Sequence, residues 1–168
     1  ITTVPDGQVL VVTGTHDHTR YLETSAVLIA DSAAPDGFTH VGFYNRVIQP
    51  HIATVLADHP NLLIAATTAT QLRSTGRQAE REVADVIDEL IEADPTIVDT
   101  TQRVVLLSAP DDDVTIVLDQ PIKNTKTLSG RPVAWTMSPR LVPLRAVRPG
   151  PATTDDLDRL IDDLEAET

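Results

Sequence analysis

"RVVLLSAPDDDVTIVLD", Arg103 to Asp119, sets two apolar, β-branched runs on either side of a Pro-Asp turn. Short apolar runs bounded by turn residues read as strands, and two of them around Pro110 to Asp113 read as a hairpin. A hairpin joins antiparallel neighbours, whereas a parallel pair needs a long crossover connection. This stretch therefore sets the expected class. It is α+β, with a mixed or largely antiparallel sheet and three to four helices.

Downstream, "PVAWTM" and "RLVPLRAV" are two more strand candidates, broken by Pro139 and Pro143. Proline inside a strand pattern suits an edge or a bulge. "PGPATT" then reads as a linker, with Thr154 capping an acidic helix whose stripe is Leu157, Leu160, Ile161 and Leu164. The expected organisation is a globular unit over 1–150 and a C-terminal amphipathic helix, 151–168, packed on it.

Upstream, Gln78 to Ala93 is the clearest helix. Val83, Val86, Ile87, Leu90 and Ile91 recur at three- and four-residue spacing, and Pro95 stops the run. Val9–Thr13, Thr24–Ser32 and Phe38–Tyr44 read as strands, with a turn at Ala34–Gly37. The second strand follows the first too closely for a crossover helix. Pro50 is placed to start a helix over "HIATVLADH", "NLLIAA" reads as a strand, and "TTATQLRSTG" as a short helix or loop.

The chain has 168 residues, 41% of them hydrophobic, which is enough for one ordinary core. It has no cysteine, which excludes disulfides, thiolate metal sites and cysteine nucleophiles. No signal peptide and no membrane span is expected, so the reading is a cytoplasmic protein with no membrane partner. Net charge is -12. Asp exceeds Glu and Arg exceeds Lys, which suggests a high-GC genome or a halophile, where a carboxylate surface maintains solubility.

The charge is unevenly spread. Gln120 to Thr154 holds no acid but carries Lys123, Lys126, Arg131, Arg140, Arg145 and Arg148. Between Gly37 and Ala79 the only acid is Asp58, and Arg46, Arg73 and Arg77 lie there with Phe38, Phe43 and Tyr44. If these segments meet, they make a basic face on an acidic body, suited to phosphates. The expected contacts are Lys123, Lys126, Arg131, Arg140 and Arg46. Tyr44 is a candidate for stacking on bases, and Trp135 either stacks on a base or packs under the sheet, where a single tryptophan in a strand more often lies. The competing expectation is that the cations pair with the protein's own acids or with a second copy in a homo-oligomer.

His16 and His18 follow the first strand directly. In extended backbone, residues i and i+2 point the same way, so both rings could hold one divalent metal, with His40 or His51 as a further ligand. No complete metal signature is present. No G-x-G-x-x-G, no P-loop and no G-x-S-x-G occurs. Asp119 and Lys123 are spaced wrongly for a metal-dependent nuclease core.

The leading expectation is a small domain that binds nucleic acid or a nucleotide through 120–154. The alternatives are a metal-assisted phosphoesterase or other hydrolase using the His16/His18 loop, and a structural or oligomerisation module.

Overall fold

The computed structural model describes residues 7–30 and 35–167. The far end of the expected second strand and the start of the Ala34–Gly37 turn lie outside them. The strands are β1 (Gln8–Val12), β2 (Ala26–Ile29), β3 (His40–Asn45), β4 (Val47–Ile48), β5 (His51–Leu63), β6 (Thr101–Leu107), β7 (Ile116–Val117), β8 (Ile122–Lys123), β9 (Thr127–Leu128), β10 (Arg131–Pro132) and β11 (Arg140–Pro143). The helices are α1 (Asp17–Thr24), α2 (Ala66–Ser74), α3 (Gln78–Ala93), α4 (Leu144–Val147) and α5 (Thr154–Ala166).

The main sheet runs in the order β11-β1-β3-β5-β6-β2. β1 and β3 are parallel, and the remaining neighbours are antiparallel. The fold is α+β, as the sequence led one to expect. Alternation divides each strand between two cores. Leu10 and Val12 of β1 point to one, Val9 and Val11 to another. β6 does the same, with Val105 and Leu107 against Val104 and Leu106. Both faces are covered, which explains why these strands read as unbroken apolar runs.

The shared inner core also takes Val27 and Ile29 of β2. Three strands separate β1 from β2 in the sheet, yet Val12 and Ile29 line one cleft. The sheet therefore curls into a partial barrel. On its outer face α2 and α3 cover one end, burying Ile87 and Leu90. α4 and α5 cover the other, where Leu157 and Ile161 join Trp135.

Several local expectations differ from the structure. The two runs of Arg103–Asp119 do not pair with each other. β6 and β7 both pair with β5, at different lengths along it. Thr115 is buried between them, bonding Ala109 O and Ser108 Oγ, so the segment folds as a pinned loop. Residues 51–63 form one long strand instead of a helix followed by a strand. Its β-branched residues suit the sheet, and Pro60 sits at a register shift beside left-handed Asn61.

An eight-residue helix does fit between β1 and β2. It was hidden because it buries only Tyr21 and Thr24 and offers no apolar stripe. "PVAWTM" is largely irregular, and "RLVPLRAV" splits into the edge strand β11 and the single turn α4. Thr153, not Thr154, caps α5, accepting from Asp156 N at 3.2 Å. Among the described residues no helix is long and apolar enough to cross a membrane.

Candidate functional site

The β3–β4 turn brings Tyr44, Asn45 and Arg46 to the rim of a cleft of about 510 Å³. Its opposite wall is Asn124 with 132–134, 136 and 137. Arg46 holds a left-handed backbone, φ 66°, which favours glycine over any side chain. The turn is tight because Tyr44 pairs with Ile48, only four residues on.

The opposite wall has no long strands and is held by side chains. Asn124 donates to Val133 O at 2.7 Å, and its amide oxygen accepts from Lys126 N and from the Thr154 hydroxyl. Lys126 Nζ donates to Trp135 O at 3.3 Å. Trp135 N donates to the Tyr44 hydroxyl at 2.9 Å, which ties the two walls together beneath the cleft.

The expected contacts separate into two groups. Arg46, Lys123, Lys126 and Arg131 are exposed, and among the described residues none of them makes an ion pair. Lys123 sits opposite Val47, the residue after Arg46, and precedes Asn124. Arg131 precedes Pro132 in a two-residue-turn hairpin over Ser129 and Gly130. Arg46 therefore lines the cleft itself, while Lys123, Lys126 and Arg131 lie within two residues in sequence of Asn124 or Pro132, which line its other wall.

Arg140 belongs to the second group. It stacks on the Trp135 ring, 4.5 Å from its centroid, and lies 3.5 Å from Asp158 of α5. Arg73 pairs with Asp85 and Asp88, and Arg77 with Glu80, on the α2–α3 side. These arginines serve the protein's own carboxylates.

Trp135 is not a stacking platform. It is 1% exposed, its indole N–H donates to Asp158 Oδ1 at 3.1 Å, and Tyr44 meets it edge-on. Tyr44 is itself buried, though it lines the cleft floor.

His16 and His18 do not share the extended backbone that would aim both rings one way. His16 precedes α1 and His18 lies in its first turn. His18 Nε2 is instead 3.1 Å from His51 Nδ1, packed beside Phe43 and Tyr21. Among the described residues no group of three or more His, Asp or Glu side chains is placed to hold a metal ion.

Burial first, and then the neighbouring His51, lower the pKa of His18 from 6.5. The fold thus prefers the neutral ring. That contribution is complete above the unfolded value and is lost as pH falls through the lower folded value. Thermal denaturation between about pH 7.5 and about pH 5.5 should show Tm falling with pH, and His18→Gln should reduce the fall. An equal fall in the variant would assign the loss to other groups.

No family model matches the sequence, and no curated protein or solved structure matches it either. The class that fold and site define is an α+β protein with an open cleft at whose rim Arg46 sits.

Proposed function

We propose that this cleft binds a phosphate-bearing ligand, nucleic acid or a nucleotide, with Arg46, Lys123, Lys126 and Arg131 as the phosphate contacts. One observation carries the reading. Arg46, from the first half of the chain, faces the acid-free segment across one cleft, Lys123, Lys126 and Arg131 lie within two residues in sequence of its lining, and among the described residues none of the four has an acidic partner, on a protein of net charge -12. Uncompensated cations gathered on an acidic body select for anions. The left-handed turn at Arg46 adds support, since residues held in sparsely populated backbone regions concentrate at ligand sites.

Each phosphate contact contributes roughly 0.7 to 0.9 to the log–log salt dependence of binding. Four contacts give a slope of about -3 to -4. Titration of labelled single- and double-stranded oligonucleotides at several salt concentrations measures it. Arg46→Ala and Lys126→Ala should each lower the slope by about one unit, whatever the base sequence. Absence of binding at low salt, or slopes unchanged in both variants, would assign the cations to an interface with an acidic protein surface.

A further inference from the structure

Residues 125 to 132 leave the body of the protein as a hairpin of their own. β9 and β10 form a two-stranded sheet that pairs with no other strand among the described residues, and every residue from Thr125 to Pro132 is exposed. Ser129 and Gly130 both have positive φ, 53° and 78°. Two such residues make the tight turn whose twist matches the strands it joins. An isolated two-stranded hairpin is marginal in water. This one is anchored at its base, where Val133 N donates to Lys126 O at 3.1 Å and Asn124 donates to Val133 O at 2.7 Å.

The register fixes what the ribbon shows. Leu128 lies opposite Arg131, and the bond from Val133 N places Lys126 opposite Val133. Residues two apart on a strand share a face, and directly paired residues do too. Lys126, Leu128 and Arg131 therefore stand on one face, with Leu128 and Arg131 at the tip. Val133, at the base of that face, lines the basic cleft. Leu128 is 70% exposed, and the two cations beside it make no ion pair among the described residues. A single exposed leucine is ordinary on a protein surface. Here it heads a preformed ribbon and belongs to none of the cores.

We propose that the β9–β10 ribbon enters the major groove of duplex DNA, with Leu128 against the base edges and Lys126 and Arg131 on the flanking phosphates. The inference rests on the phosphate reading of the adjoining cleft and narrows its ligand to a duplex. Charge complementarity selects a polyanion. Width selects the groove. Two strands about 4.8 Å apart, with their side chains, fit a groove about 12 Å wide and exceed one about 6 Å wide. The aliphatic tip selects against single strands, whose bases are held by stacking on aromatic rings. Tyr44 and Trp135 are buried, so neither ring is presented for stacking. In the major groove the apolar group that a leucine can meet is the thymine methyl.

The test uses the full chain with three labelled ligands of equal length, each at several salt concentrations: an A·T duplex, the same duplex with uracil in place of thymine, and one of its single strands. The thymine duplex should bind most tightly. Removing the methyl groups should weaken binding about threefold to fourfold for each methyl contacted, the worth of one buried methyl group. Leu128→Ser should abolish the difference between the two duplexes and leave the salt slope unchanged, because a leucine releases no counterion. The variant should keep the wild-type melting temperature, since Leu128 lies outside the cores. Equal affinity for duplex and single strand, equal affinity for the two duplexes, or a methyl effect that survives Leu128→Ser overturns the ribbon and leaves the phosphate cleft standing. Absence of binding to all three ligands removes both readings. Leu128-dependent binding to phosphatidylserine vesicles in place of the oligonucleotides would assign the ribbon to a membrane surface and overturn the proposal as well.

Discussion

Trp135→Ala is expected to destabilise the protein by about 3–5 kcal/mol, the usual cost of truncating a buried aromatic residue. The indole is closed in by Tyr44, by the Arg140 guanidinium and by the core residues of α5. Alanine would leave a cavity and would remove the N–H that Asp158 accepts, leaving that carboxylate Arg140 and solvent. The backbone N–H to the Tyr44 hydroxyl survives in the variant, so the loss measures the ring and its N–H together. Chemical denaturation followed by circular dichroism measures it, since the variant has no tryptophan. A change under about 1 kcal/mol with lost oligonucleotide binding would mean that the ring faces a ligand and not the core.

The second large effect is expected at Ile87→Ala, about 2–5 kcal/mol. Ile87 is fully buried where α3 meets β2 and β6, with Val83, Ala84 and Leu90. The range depends on how far the site can collapse. Val104 and Leu106 are fixed in the sheet, so little relaxation is available from that side. Binding at the basic cleft should be unchanged at temperatures where the variant stays folded, because α3 contributes no residue to it. Parallel denaturation and binding measurements separate the two properties. A small loss of stability would mean that the stripe is exposed and serves a partner.

These two residues also show what could be read from the chain alone. α3 was legible to its ends because a strict apolar stripe, a polar opposite face and Pro95 agree. The class was legible through the runs at 101–107 and 116–117, although their pairing was not. A sequence shows that two runs are strands, but which strand each borders depends on residues far away, here β5. The segment 51–63 misled for a related reason. Pro50 and Pro60 mark helix starts and strand breaks locally, while the sheet accommodates Pro60 at a register shift.

The candidate site was legible as charge and not as contact. The acid-free stretch and Arg46 do meet at one cleft. Which cations are free was not legible, because Asp158, Asp85 and Asp88 lie on helices whose docking no local pattern specifies. That Trp135 belongs to the core was one of its two readings from the sequence, but what it packs against was not legible. Its partners Tyr44 and Asp158 lie 91 and 23 residues away.

The burial of the lone tryptophan has an optical consequence. The chain contains one indole, and it hangs from the backbone between Ala134 and Thr136, both of which line the basic cleft. Its ring lies behind that wall, against a guanidinium and a carboxylate. Emission excited at the indole band therefore comes from a single known position, shielded from water while α5 is docked. A molecule entering the cleft would touch the backbone on either side of the chromophore without touching the ring. The wild-type chain thus carries an intrinsic fluorophore behind its candidate site, whose emission should change when the helix that shields it is lost.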